Sequence, residues 1–106
     1  MTNPYGISER SYGLLREAFQ KYPEVEEVLI FGSRAKGTYR KGSDIDLAIK
    51  GLRCSTQTAA DLAGYLNEQV PIPYSVDVVY YDGLKQAELK AHIDRVGKPL
   101  FEYSRR

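Results

Sequence analysis

The chain has 106 residues, with 15 lysines and arginines against 14 aspartates and glutamates and a formal net charge of +1. That length carries one small domain with a modest core, and a composition 42% hydrophobic and 27% charged excludes a disordered chain, a collagen-like repeat or a disulfide scaffold. The charge balance argues against a strong nucleic-acid binder, Cys54 is the only cysteine and has no disulfide partner, and no apolar leader or run of about 20 apolar residues is present, so a cytoplasmic protein is expected.

Ile7, Leu14, Leu15, Ala18, Phe19 and Tyr22 recur at helical spacing. They predict a first helix over 7–22, with Ser8 as N-cap, Ile7 and Tyr12 as a hydrophobic staple, and Pro23 as its stop. Residues 25–31 are β-branched and apolar toward their end and are broken by Gly32 and Ser33, which reads as a strand running into a turn. Residues 38–43, with Gly37 and Gly42, read as loop. In 44–50, Ile45, Leu47 and Ile49 alternate with Asp44, Asp46 and Ala48, the pattern of a half-buried strand with a polar edge.

Ala59, Leu62, Ala63, Leu66 and Val70 mark a helix over 56–70, closed by Pro71 and Pro73. Residues 76–81 are β-branched and aromatic, a third strand on which Asp77 and Val79 share a face. Asp82 reads as the cap of a last helix over 84–96, with Leu89, Ile93 and Val96 inward and Gly97 at its end. Residues 99–103 form a short terminal strand or tail. This order predicts an α/β fold in which helices pack on a small mixed sheet.

The chemistry concentrates in two stretches. Gly32 allows close approach of backbone to a ligand, Ser33 offers a hydroxyl and an amide, and a helical turn from Arg34 to Gly37 would point free N–H groups outward, as in a phosphate cradle. Arg34, Lys36, Arg40 and Lys41 then form a run of cations without an acid, followed at once by Asp44 and Asp46. Two carboxylates on one face of a strand repel each other unless a cation lies between them, and magnesium suits oxygen ligands and phosphate together. Asp77, mid-strand between Val76 and Val78, is an odd place for a carboxylate unless it joins that site. Three carboxylates, a glycine-serine turn and flanking cations match two-metal phosphoryl or nucleotidyl transfer.

Gly32-Ser33, ten residues, then Asp44-Ile45-Asp46 resembles the signature of the DNA polymerase β nucleotidyltransferase superfamily. In a chain this short the resemblance is to the minimal nucleotidyltransferases, the MntA-like antitoxins, with residues 1–106 as one domain. The strand bearing Asp77 and the tail from Ile93 through Gly97-Lys98-Pro99-Leu100-Phe101-Glu102 extend it over nearly the whole chain. It implies the polymerase β-like fold, with Gly32, Ser33, Arg34 and Ser43 on the nucleotide and Asp44, Asp46 and Asp77 holding two magnesium ions. Asp77 would also help to deprotonate the acceptor.

The same resemblance implies ATP as substrate and AMP transfer to a hydroxyl, a tyrosine of a HEPN-type toxin, within a hetero-oligomer. Larger relatives carry a further domain for the acceptor, which a catalytic core of this length does not hold, so a partner is expected to supply it. A non-catalytic antitoxin and an aminoglycoside-type transferase are the alternatives. Elsewhere, His92 among Lys90, Asp94 and Arg95 reads as a solvated surface residue and Cys54 as inert packing. Tyr74, Tyr80, Tyr81 and Tyr103 form a candidate partner surface.

Overall fold

The computed structural model describes residues 3–102. In chain order they form α1 (Glu9–Gln20), β1 (Glu27–Phe31), α2 (Gly32–Lys36), β2 (Ile45–Lys50), α3 (Thr56–Glu68), β3 (Val76–Tyr80), α4 (Ala87–Val96) and β4 (Lys98–Glu102). The sheet order is β3-β2-β1-β4, with β1 antiparallel to both β2 and β4 and β2 parallel to β3. The predicted mixed α/β sheet is therefore present. Tyr103, placed by the sequence in the terminal strand, lies outside the described residues.

One face of the sheet carries the main core. Ile45, Leu47 and Ile49 of β2 and Val28 and Ile30 of β1 are fully buried there, against Leu15, Ala18 and Phe19 of α1 and Ala59, Leu62 and Leu66 of α3. Removing such a side chain from water contributes about 1.5–3 kcal/mol, which makes this face the main source of stability. Ser8 caps α1 as its sequence position predicts, its side chain accepting the Ser11 amide at 3.2 Å. Ser55 and Thr58 form a reciprocal capping box at the start of α3.

The opposite face corrects the strand pattern. Ala48, expected on a polar edge, is fully buried with Phe31 and Ile93, because α4 lies across this side of the sheet and brings Leu89 and Val96 onto it. Asp82 does not cap that helix. It lies in a 3-10 turn, Tyr81–Gly83, and α4 begins at Ala87 after Gln86, which makes no side-chain cap bond. The tight turn at the end of β3 places Leu84 against the Ala48 face before the helix starts. Gly97 ends α4 as expected but with extended backbone (φ −61°, ψ 139°) that leads directly into β4.

Cys54 is buried and its thiol donates to the Glu24 carbonyl at 3.1 Å. Burial, followed by the charge of Glu24, pushes that thiol up, so it is a poor nucleophile. Among the described residues no helix is long and apolar enough to cross a membrane.

Candidate functional site

β1 runs straight into α2. Phe31 is extended at the N-cap, and Gly32 then takes φ +73°, a left-handed backbone that side chains rarely adopt. A Cβ at Gly32 would run into Asp46 Oδ2, so the missing side chain is what lets that carboxylate lie against the β1–α2 corner. No side chain caps the first turn of α2, which leaves the amides of that turn available to an anion. Ser33 is half-buried in the same turn, and its carbonyl accepts the Thr38 amide at 3.0 Å.

The sheet register assembles the acids. Asp46 of β2 is the partner of Phe31 on β1 and of Asp77 on β3. Paired residues on neighbouring strands point to the same face, with strands about 4.8 Å apart, so the two carboxylates are adjacent. They lie on the face of Ala48 and Val79, beyond the apolar cover that α4 provides. Asp44 is exposed immediately before β2, and Asp77 is exposed as well. Asp46 is half-buried, and its carboxyl is pushed above the ordinary range by burial first, then by Asp77, then by Asp44.

The three acids therefore share one electrostatic site, with Asp46 at its centre. Oxygen donors carrying uncompensated negative charge suit a hard divalent cation. As the side chains stand, no three acidic, histidine or cysteine groups among the described residues are drawn together closely enough to enclose an ion. Asp44 and Asp77 are exposed carboxylates whose charges both act on Asp46, so the chemistry of the donor set fits such an ion.

Two residues assigned to the nucleotide, Arg34 and Ser43, are engaged in contacts within the protein. Arg34 is 2% exposed, and its guanidinium points inward. Nε and Nη2 both donate to the Ser43 carbonyl, at 3.2 and 2.8 Å, while Nη1 donates to the carbonyls of Tyr5 at 2.8 Å and Gly6 at 3.4 Å. The rings of Tyr39 and Tyr74 lie 5.1 and 4.9 Å from its Cζ. The Ser43 hydroxyl accepts the Arg40 amide at 2.8 Å, and the Ser43 amide donates to the Arg40 carbonyl at 2.9 Å, closing a turn in which Gly42 has φ +88°. Of the cation run, Lys36, Arg40 and Lys41 are exposed.

Sequence reasoning missed Asn67. From α3 its amide nitrogen donates to the Val76 carbonyl at 2.8 Å and its oxygen accepts the Val76 amide at 2.9 Å, which fixes the start of β3 one residue before Asp77. A polar residue near the end of an apolar helix was the available signal.

His92, expected in solvent, is half-buried, its ring 6.0 Å from Phe31 in an edge-to-face contact. Among the described residues, Tyr74, Tyr80 and Tyr81 do not form one surface. Tyr74 covers Arg34, Tyr80 packs with the α3 face, and Tyr81 lies on the α4 face between Lys50 and Lys90 and donates to Asp94. The chain leaves β3 after Tyr80 and enters the turn Tyr81–Gly83, and the two rings join different clusters.

A family model described as Polymerase beta, Nucleotidyltransferase matches residues 14–106. The chain belongs to that nucleotidyltransferase family. No curated protein matches in sequence. Among solved structures, a toxin-antitoxin crystallised with AMP-PNP superposes with a TM-score of 0.71 at 22% identity, covering 87% of this chain and 73% of that one. The toxin-antitoxin MntA-HepT gives 0.59 at 19%, over 91% and 74%. A putative nucleotidyltransferase from Sulfolobus solfataricus gives 0.55 at 23%, over 87% and 77%. The fold of this chain is that of the MntA-type minimal nucleotidyltransferases.

Proposed function

We propose that the protein uses ATP and magnesium to transfer AMP to a hydroxyl, a tyrosine of a HEPN-type partner toxin, and so acts as an antitoxin. The observation that carries this reading is the pairing of Asp46 with Asp77 in the sheet register at the corner where Gly32 admits the Asp46 carboxylate, with Asp44 close enough for its charge to act on Asp46. The solved complex with AMP-PNP supports an adenine nucleotide, and the toxin-antitoxin structures support a protein partner. The exposed Asp44 and Asp77 leave the site open to an acceptor brought by another chain.

In the reaction, the acceptor oxygen forms a bond to the α-phosphorus as the bond from that phosphorus to the bridging oxygen of pyrophosphate breaks. Asp44, Asp46 and Asp77 would hold the magnesium, two ions on this reading, which when bound neutralises phosphate charge and makes the acceptor hydroxyl more acidic. Asp77 takes up the hydroxyl proton. The amides at the start of α2 and the Ser33 hydroxyl hold the outer phosphates. Binding and positioning are thus separate tasks, done by α2 and by the strand ends.

The test is incubation with labelled ATP and magnesium, with and without the product of the adjacent gene, followed by intact mass of both chains. The partner is expected to gain AMP, and Asp44→Asn and Asp46→Asn are expected to reduce the rate about 100-fold or more. Neutralisation of the partner that survives both substitutions, with no label on either chain, would leave a binding antitoxin instead.

A further inference from the structure

The sequence presents Arg34 as a phosphate contact, beside a glycine-serine turn and within a run of cations. Its surroundings assign it different work. A guanidinium has five donors in a planar fork and stacks well on aromatic faces. Here one side of the fork chelates the Ser43 carbonyl, the other reaches the Tyr5 and Gly6 carbonyls, and Tyr39 and Tyr74 flank it. At 2% exposed, the charge is committed to carbonyls and rings inside the protein.

What the Ser43 carbonyl belongs to matters most. It is one end of the peptide group joining Ser43 to Asp44, so Arg34 fixes the orientation of that plane. The next peptide group, joining Asp44 to Ile45, is fixed by the Ile45 amide, which donates to the Ser75 carbonyl at 2.9 Å. Asp44 thus sits between two anchored peptide planes, although its own side chain is exposed. The other half of the anchor is the N-terminal segment. Asn3 Oδ1 accepts the Tyr5 amide at 3.0 Å, Tyr74 donates its hydroxyl hydrogen to the Gly6 carbonyl at 3.4 Å, and Gly6 packs so closely under Tyr39 that a Cβ would collide with the ring.

We propose that Arg34 is the positioning residue of Asp44, and that it clamps the 40–43 turn to the segment around Tyr5 and Gly6 so that this carboxylate meets the metal site. The inference rests on the nucleotidyltransferase reading only for the purpose that positioning serves. A lysine at this position keeps the charge but presents a point rather than a fork, and cannot chelate Ser43 while reaching Tyr5.

The experiment uses the full chain and compares wild type, Arg34→Lys and Asp44→Asn, with amide hydrogen exchange and Mn2+ binding measured without nucleotide and kcat and KM for ATP measured with it. Arg34→Lys is expected to raise exchange about 10-fold in both 5–8 and 43–46, to weaken Mn2+ about 10- to 100-fold as an outer-shell partner does, and to lower kcat with KM little changed. Should Arg34→Lys fail to fold, Tyr39→Leu strips one ring from the guanidinium and is scored in the same way. Unchanged exchange, or raised exchange with Mn2+ affinity intact, would overturn the proposal. So would a rise in KM for ATP with kcat unchanged in Arg34→Lys, the behaviour of a phosphate ligand. Exchange and Mn2+ results as expected with no AMP transfer by wild type would uphold the clamp and sink the nucleotidyltransferase reading instead.

Discussion

At the scale of single residues, Asp46 carries the clearest electrostatic signature. Its carboxyl is raised by burial, Asp77 and Asp44, so the folded state holds that proton more tightly than the unfolded chain does. The sign follows from linkage: with a folded value above the unfolded one, stability is lost as pH rises from the unfolded value through the folded one, and the ionised group opposes folding at neutral pH. Asp46→Asn should therefore melt at a higher temperature than wild type at pH 7 in the absence of divalent ions. The gap should shrink as pH falls through the carboxylate range. Differential scanning fluorimetry from pH 4 to 8 measures this, and a variant that is less stable at pH 7 would refute it. The face that Asp46 takes was legible because alternation through Ile45, Leu47 and Ile49 fixes which way it points. The inward turn of Arg34 was not legible, because its partners are main-chain carbonyls of Tyr5, Gly6 and Ser43, and a carbonyl leaves no mark in a sequence.

At the scale of elements, helix starts were read well where a hydroxyl precedes the helix and poorly where a carboxylate does. Ser8 caps α1 as its position predicts, and α3 starts at Thr56 as expected, where Ser55, not named as a cap by the sequence pattern, exchanges hydrogen bonds with Thr58. Asp82 has the composition of a cap but stands in the turn Tyr81–Gly83, because Leu84 must first reach the second core beneath α4. Equilibrium urea unfolding separates these roles. Ser8→Ala and Ser55→Ala should each cost about 1 kcal/mol, whereas Asp82→Ala should stay within about 0.5 kcal/mol as an exposed substitution does. An Asp82→Ala cost equal to that of Ser55→Ala would mean that its carboxylate supports α4 after all. The same covering helix explains Ala48: periodicity shows that a residue faces away from the main core, yet only the path of α4 decides whether that second face is wet.

At the scale of the whole molecule, the site is assembled from segments far apart in sequence. The β1–α2 corner, the start of β2 and the start of β3 contribute to it, and each belongs to a strand of the central sheet. A ligand that bridges these ends binds the folded arrangement and not the unfolded chain, so its binding free energy adds to global stability. At about 100 times its dissociation constant such a ligand contributes about 2.7 kcal/mol, which for a chain of this size corresponds to a rise of about 10–20 °C in melting temperature. The suitable probe is α,β-methylene ATP with magnesium, since its α–β bridge cannot be broken and no AMP is transferred during the scan. Wild type should show the full rise, the analogue without magnesium much less, and Asp46→Asn little with either. An equal rise in Asp46→Asn would place the nucleotide away from the strand ends. The metal-dependent difference between the two proteins thus locates the ligand on the sheet without any knowledge of the acceptor.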